Sequence, residues 1–200
     1  MQAVPQLSNI RQVSDGWIKK YVLAYTMPDG STYEYESASR KSLEAYRAEL
    51  EGNAAGRACA ADAVCIVPQT ATGELLLIRE FRYPLNSWCV SLPAGLIDAG
   101  ESLEEAVARE LSEETGYRLR DDIAPAVRPL PQPGFSSTGL TEENVQVVFA
   151  QVEAAGEARP DSAELIEPFT VARADLRAFL DANQLPIGTR CQLILELLAL

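Results

Sequence analysis

The chain has 200 residues, of which 47% are hydrophobic and 23% are charged, the composition of a globular protein with room for one large domain or two smaller ones. Its 17 basic and 29 acidic residues give a net charge of −12, which disfavours nucleic-acid partners and anionic membranes and means that an anionic substrate would need metal ions. The absence of histidine excludes histidine-based triads and histidine-ligated zinc, and leaves carboxylates as the leading chemical groups.

The cysteines and the N-terminus indicate a cytoplasmic protein. The four cysteines form no CxxC pair and lie in apolar surroundings, which predicts reduced core residues rather than a metal or catalytic site. The first residues lack a charged segment followed by an apolar stretch. The longest apolar run, Cys191 to Leu200, is too short to span a membrane and carries Glu196.

Residues 1–56 predict a small N-terminal antiparallel β-subdomain. Residues 17–26 and 31–37 are rich in aromatic and β-branched side chains and flank the turn sequence Met27 to Gly30, which is the pattern of a β-hairpin. A short helix is predicted from Ser42 to Glu51, followed by a glycine-bearing segment that ends it. Because a lone hairpin is only marginally stable in water, we expect it to dock on the rest of the chain or on a second subunit.

Residues 57–200 predict a mixed α/β (α+β) domain in which a helix crosses a mixed sheet. Strands are expected at residues 63–67, 74–79, 88–92, 144–152 and 165–171, and helices at 102–115, 173–183 and 189–200. The first of these helices has the strongest signals, because Ser102 and Glu105 form a capping box and Gly116 follows the last turn. The last helix is apolar nearly all round, which predicts that it is buried.

Three glutamates lie beside the apolar stripe of the 102–115 helix. At about 100° per residue, the stripe consists of Leu103, Val107 and Leu111. Glu110, Glu113 and Glu114 fall on its margin or inside it. Clustered carboxylates with poor access to water need a cation or a proton, and Mg²⁺ or Mn²⁺ suits oxygen ligands. The alternative, a solvated helix with i,i+4 ion pairs, explains the charges but not their position against the stripe.

The segment from Gly95 to Tyr117 resembles the Nudix box, GX5EX7REUXEEXGU, in which U is a bulky apolar residue. Every specified position is met, by Gly95, Glu101, Arg109, Glu110, Leu111, Glu113, Glu114, Gly116 and Tyr117. Residues 79–84 and 92–95 are similar to the segments that precede the box in ADP-ribose pyrophosphatases. The resemblance implies the Nudix fold, a mixed β-sheet sandwiched between helices, with an N-terminal β-subdomain that helps to form a homodimer.

The resemblance also implies roles for the residues of the box. The expected metal ligands are the carboxylates of Glu110, Glu113 and Glu114 and the backbone carbonyl of Ala94. Glu113 would bind the metal ion directly or through water. Glu101 and Arg109 would hold the glutamates in position by charge-assisted hydrogen bonds.

Residues outside the box are candidates for binding substrate and activating water. Arg82 follows a strand and suits a phosphate oxygen, although a surface salt bridge is the alternative. Gly95 lets the backbone approach a ligand closely. Of the adjacent acids Glu142 and Glu143, we favour Glu143 as the group that activates water. Aromatic residues of the hairpin that could stack on a nucleobase, if they are not simply packed, are Trp17, Tyr33 and Tyr35.

Two features depart from the pyrophosphatase pattern. Ser91 stands where that subfamily commonly has glutamate before Leu-Pro-Ala-Gly, so one expected acidic contact is missing. The loop after the box also allows two registers. In one register Pro133 is the proline that these enzymes often carry 16 residues beyond the box, and in the other Thr138 takes its place.

The residues and the resemblance together predict a Mg²⁺-dependent hydrolase, with Mn²⁺ as a possible substitute. Its expected substrate is a nucleoside diphosphate sugar, with ADP-ribose giving AMP and ribose 5-phosphate as the first choice. Hydrolysis of another sugar nucleotide, GDP-mannose or UDP-glucose, is the alternative within the same chemistry. A non-catalytic nucleotide sensor is the alternative from another class, but such modules usually have an eroded box or an added DNA-binding domain. We expect no nucleic-acid or membrane partner.

Overall fold

The computed structural model describes residues 3–57 and 59–200. The strands within these residues are β1 (Gln6–Gln12), β2 (Lys19–Thr26), β3 (Thr32–Ser39), β4 (Ala63–Thr70), β5 (Glu74–Arg82), β6 (Ser87–Ser91), β7 (Ala94–Leu96), β8 (Tyr117–Leu119), β9 (Val127–Pro129), β10 (Gly134–Phe135), β11 (Asn144–Ala154) and β12 (Ile166–Ala172). The helices are α1 (Leu43–Ala54), α2 (Leu103–Thr115), α3 (Leu176–Ala182) and α4 (Thr189–Leu198). The chain forms two compact units. The first contains the residues up to Ala61 together with Gly134–Val145, and the second contains Asp62–Pro133 and Gln146–Leu200.

The first unit contains a three-stranded antiparallel sheet in the order β1-β2-β3. The predicted antiparallel N-terminal sheet is therefore confirmed, but its strand β1 was not predicted. The sequence of β1 is largely polar and only Ile10 in it is buried, so the strand forms because β2 offers it a pairing edge. The core of this unit consists of Ile10, Tyr21, Leu23 and Tyr46.

Two boundaries in the first unit differ from the prediction. Strand β2 begins at Lys19, so Trp17 lies in the bend before it and is 74% exposed. Helix α1 begins as predicted, because the Ser42 hydroxyl accepts a hydrogen bond from the Ala45 N–H. The helix continues to Ala54, however, because the buried Gly52 is accommodated inside it instead of ending it.

The second unit contains a sheet with the strand order β11-β4-β5-β12, to which β6, β7, β8 and β9 are attached. Helix α2 covers one face, where its apolar stripe packs on the strands through Val64, Ile66, Leu76, Ala106, Val107, Leu111, Val148, Ala150 and Val152. On β12, Phe169 pairs with Leu77 and so faces away from α2, and its ring packs 5.7 Å from that of Phe179 on α3. Helices therefore cover both faces of the sheet, as predicted.

Helix α2 has both predicted ends. The Ser102 hydroxyl accepts a hydrogen bond from the Glu105 N–H, and the Glu105 carboxylate accepts one from the Ser102 N–H. Gly116 ends the helix with φ 72°, a left-handed conformation that favours glycine. A Cβ atom at residue 116 would also lie 2.5 Å from the Gly156 carbonyl oxygen. The register of α2 against the sheet is thus fixed at both ends.

The C-terminal helices differ from the prediction in two respects. A 3₁₀ turn at Arg173–Asp175 precedes α3, where one continuous helix was expected. In α4 only Cys191 and Leu195 are buried, while Leu193 and Leu197 are 59% and 68% exposed. Burial of α4 on all sides was therefore wrong. No helix in residues 3–57 and 59–200 is both long enough and apolar enough to cross a membrane.

Candidate functional site

The apolar stripe of α2 carries two buried carboxylates. Glu110 and Glu114 lie one turn apart and are 8% and 5% exposed. They flank Leu111, which is fully buried in the core under the helix. Burial raises the pKa of both carboxyl groups, and for Glu114 the neighbouring negative charge of Glu110 raises it further. The predicted position of these two residues beside the core is confirmed.

The loop before α2 closes on these carboxylates through backbone atoms. The Ala94 N–H donates a hydrogen bond of 3.1 Å to Oε2 of Glu114. A Cβ atom at Gly95 would lie 1.9 Å from Oε1 of Glu110 and 2.1 Å from its Cδ. Only glycine fits there, because any side chain would displace the Glu110 carboxylate. Gly95 therefore acts through close packing of the loop on the helix.

Arg109 contacts four groups around this centre, namely Glu101, Glu110, Glu113 and the Leu96 carbonyl. Its Nε and Nη2 atoms each lie 2.9 Å from an oxygen of Glu101, a two-pronged contact that also lowers the pKa of Glu101 to about 2. Nη1 lies 2.7 Å from Oε1 of Glu110, and Nη2 donates to the Leu96 carbonyl oxygen at 2.8 Å. Glu101 and Arg109 thus form a rigid brace that fixes the position of Glu110.

Glu113 differs from the other two glutamates. Its side chain is 49% exposed, and its carboxylate lies 3.3 Å from Nη1 of Arg109. The spacing along the helix predicts that Glu113 lies at the margin of the apolar stripe. In the structure it lies on the solvent-exposed side of that margin.

The sequence analysis missed two acidic residues whose charges act on this centre. Glu80 on β5 is 9% exposed, and its negative charge raises the pKa of Glu114. Glu164 is exposed in the segment before β12, and its charge raises the pKa of both Glu110 and Glu114. The alternation of β5 could have indicated Glu80, because Leu76 and Ile78 precede it on one face. No local signal marked Glu164.

Arg82, the predicted phosphate ligand, lies at the end of β5 with its side chain 49% exposed. Its Nη2 atom lies 2.9 Å from Oε2 of Glu80. Since Arg82 and Glu80 are two residues apart in the regular pairing of β5 with β6, they point to the same face of the sheet.

The residues of this centre fit a hard divalent cation. Carboxylate and carbonyl oxygens are the ligands that Mg²⁺ and Mn²⁺ prefer, and Glu110 and Glu114 are buried with few hydrogen-bond donors to balance them. In the conformation described for residues 3–57 and 59–200, no three acidic or cysteine side chains stand together at metal-binding distances. Arg109 contacts Glu110 and the Ala94 N–H contacts Glu114, so a cation would have to compete with these two groups.

The predicted water-activating residue, Glu143, belongs to the first unit. Oε2 of Glu143 lies 2.5 Å from Nη1 of Arg40, and its Oε1 accepts a hydrogen bond of 2.6 Å from Ser136. Its neighbour Glu142 is 8% exposed and accepts a hydrogen bond of 2.5 Å from Ser39. The two adjacent acids therefore have different environments, with Glu142 the more enclosed.

The first unit also contains a cavity of about 650 Å³. The tyrosines that line it are Tyr25, Tyr33, Tyr35 and Tyr46. Hydroxyl groups at its wall are held in fixed positions, since Tyr35 donates to the Gly139 carbonyl oxygen at 2.6 Å and Tyr46 lies 2.7 Å from the Ser37 hydroxyl. Two of the predicted stacking residues thus line one cavity, and the third, Trp17, is not part of its lining.

Comparisons with known proteins show which family and fold this chain resembles. The NUDIX domain family model matches residues 60–190. The chain is 33% identical over 180 residues to an ADP-sugar pyrophosphatase of Mus musculus, a match that covers 85% of this chain and 74% of that protein. It is 32% identical over 143 residues to an ADP-ribose pyrophosphatase of Saccharomyces cerevisiae, covering 70% of this chain and 57% of that one. A crystal structure of an ADP compounds hydrolase matches the fold with a TM-score of 0.73 and 23% identity, over 98% of this chain and 93% of that chain.

The burial of Glu114 predicts that a metal-free Glu114→Gln variant is more stable than the wild type at pH 7. Glutamine keeps the acceptor for the Ala94 N–H and removes a buried charge, so we expect a gain of about 1 kcal/mol in the free energy of unfolding. The folded-state pKa of Glu114 is raised, so the penalty is absent below the unfolded-state pKa and appears as the pH rises above it. The gain should therefore vanish near pH 3.5.

Urea unfolding in EDTA at both pH values measures this difference. The exposed Glu113→Gln variant is the matched control and should unfold like the wild type in EDTA. Equal stability of Glu114→Gln and the wild type at pH 7 would contradict the burial of a charged group at this position.

Proposed function

Because the chain belongs to the Nudix hydrolase family, we propose that it hydrolyses the diphosphate bond of an ADP-linked sugar, with ADP-ribose cleaved to AMP and ribose 5-phosphate. The observation that carries the proposal is the pair of buried carboxylates, Glu110 and Glu114, packed against the backbone of Ala94 and Gly95. The choice of an ADP-linked substrate is supported by the names of the relatives from Mus musculus and Saccharomyces cerevisiae.

Nudix hydrolases use divalent metal ions, and we propose Mg²⁺ as the ion of this chain, with Mn²⁺ as a substitute. The residues that would hold it are Glu110, Glu113, Glu114 and the carbonyl of Ala94. When bound, the ion would neutralise charge on the diphosphate and lower the pKa of the attacking water. Arg109, braced by Glu101, keeps the carboxylates in place, so that little reorganisation is needed during the reaction.

Residues outside the metal centre are further candidates for substrate contacts. Arg82 is half-exposed and carries a planar guanidinium that can grip a phosphate through two hydrogen bonds. Its pairing with Glu80 would have to loosen for this contact to form. The cavity of the first unit has the size of a small-molecule site, and Tyr33 and Tyr35 offer faces on which a nucleobase can stack. Trp17 is exposed and remains a further candidate for stacking.

The first testable consequence is substrate choice. We expect kcat/KM for ADP-ribose to exceed that for GDP-mannose and UDP-glucose by at least about tenfold, which corresponds to ~1.4 kcal/mol of discrimination. Incubation of the protein and Mg²⁺ with each compound, followed by mass analysis of the products, gives both the rates and the bond that is cleaved. Faster hydrolysis of GDP-mannose or UDP-glucose would identify that sugar nucleotide as the better substrate. If none of the three compounds were hydrolysed, the proposed function would be rejected.

Two carboxylates are candidates for the group that activates water. Both carboxylate oxygens of Glu143, the residue that the sequence favours, are already engaged, one by Arg40 and the other by the Ser136 hydroxyl. Glu164 acts electrostatically on Glu110 and Glu114 and lies in an exposed segment. One oxygen of Glu164 accepts a hydrogen bond from the Asp161 N–H at 3.1 Å. We therefore place Glu164 ahead of Glu143.

This ranking predicts that Glu164→Gln lowers kcat by about 10²-fold or more with little change in KM, because a general base acts in the transition state. Glu143→Gln should lower kcat by less than about tenfold. Measurement of kcat and KM for both variants with ADP-ribose decides between them. If Glu143→Gln shows the larger loss in kcat, the role belongs to Glu143.

We further propose that the enzyme is a homodimer that works in the cytoplasm and binds neither nucleic acid nor membranes. All four cysteines are free, which is typical of a reducing compartment. The first unit exposes several large apolar side chains, among them Trp17 at 74% and Ile18 at 61%. Adjacent exposed apolar residues of this kind often mark a contact with another protein.

Light scattering should give about twice the chain mass of 21.8 kDa. The double variant Trp17→Ser/Ile18→Ser removes apolar area from the contact and should shift the protein towards the monomer. Leu193→Ser, which changes an exposed leucine of α4, is the control and should leave the mass at that of a dimer. A monomeric wild-type protein with full activity would refute the proposed assembly.

A further inference from the structure

Glu80 lies on the face of the sheet that helix α2 covers. Strand β5 pairs with β12 without a break in register from Glu74 to Glu80, so its side chains alternate regularly between the two faces. Leu76 belongs to the core under α2, and Glu80, four residues further along the strand, points to the same face. The strand therefore directs Glu80 towards the helix that carries Glu110 and Glu114.

The Glu80 carboxylate is enclosed but poorly satisfied. The residue is 9% exposed, and its Oε2 atom is shielded from solvent. No group in the part of the chain that the structure describes donates a well-aligned hydrogen bond to Oε2. Arg82 lies 2.9 Å away, but it approaches outside hydrogen-bond geometry from a half-exposed position. A buried carboxylate without a good donor destabilises the fold, so its presence calls for a ligand that offsets this cost.

The negative charge of Glu80 acts on Glu114. Burial is the main cause that raises the pKa of Glu80, and its negative charge in turn raises the pKa of Glu114. The adjacent strand supplies no acid on this face. Ser91 on β6 pairs with Ile78 and is thus the diagonal neighbour of Glu80, at a spacing that long side chains can bridge.

We propose that Glu80 is a further carboxylate of the divalent metal centre, and that Arg82 is its temporary counter-ion before the cation binds. The proposal rests on the metal site described under the proposed function. A cation that draws Glu80 away from Arg82 leaves the guanidinium free for the diphosphate, so metal binding and substrate binding reinforce each other.

The test is the affinity of the full-length, metal-free protein for Mn²⁺. Titration calorimetry, supported by spectroscopic counting of free Mn²⁺, should show that Glu80→Gln weakens binding by about tenfold or more. Glu167→Gln, which changes an exposed glutamate of the neighbouring strand β12, is the matched control and should bind Mn²⁺ like the wild type. Circular dichroism and thermal unfolding in EDTA show whether each variant is folded.

Moving the carboxylate to a neighbouring residue tests whether metal binding needs a negative charge at this place or the Glu80 side chain itself. In the double variant Glu80→Gln/Ser91→Glu, the new carboxylate stands at the diagonal position on the same face, and Mn²⁺ affinity should return to within about threefold of the wild type. A double variant as weak as Glu80→Gln would overturn the proposal, because the loss would then not reflect a missing charge at this place.

Two variants of the box distinguish the failure of this inference from the failure of the proposed function. If Glu80→Gln binds Mn²⁺ like the wild type while Glu110→Gln and Glu114→Gln lose it, only the role of Glu80 is wrong. If all three variants bind like the wild type, the metal site itself is wrong, and the role of Glu80 is rejected with it.

Discussion

The burial of two negative charges against the core of the second unit is the constraint on which the site depends. Glu110 and Glu114 occupy helix positions that would suit leucine, and the helix cannot rotate to expose them without also exposing Leu111 and Val107. Apolar packing thus holds the carboxylates where water cannot solvate them well. On the proposed function, this loss of stability would favour cation binding, because a bound metal ion would balance the two buried negative charges.

Several groups that do not touch the core serve the same constraint. Arg109 contributes one positive charge, and its two-pronged contact with Glu101 prevents it from swinging to the surface. Gly95 brings the loop backbone to within a distance of Glu110 that no side chain would allow. A variant that retained Glu110 and Glu114 but changed one of these neighbours would keep the two buried charges. Their carboxylates would no longer be held in one position. Such fixed positions are what the proposed catalytic role requires, and a solvated acidic helix would not need them.

The sequence predicted the parts of the fold and site that depend on local patterns. Helix α2, its caps and the burial of Glu110 and Glu114 follow from spacing along one helix, and the structure confirms them. The parts that were missed depend on partners distant in sequence. Strand β1 becomes a strand only through pairing with β2, and the effect of the Glu80 charge on Glu114 can be recognised only when β5 is placed under α2. For Glu164, a loop position carries no periodic signal at all.

A chain with a net charge of −12 that processes an anionic diphosphate has to overcome repulsion at the site itself. Adding lysine or arginine there would attract the substrate but would also pair with Glu110 and Glu114 and compete with the metal ion. The basic side chains near this site are already paired with acids. Arg109 is held by Glu101, and Arg82 lies beside Glu80. On the proposed function, substrate affinity would depend on the metal ion, because a bound divalent cation would offset the charge of the carboxylates and offer the diphosphate a positive ion to bind.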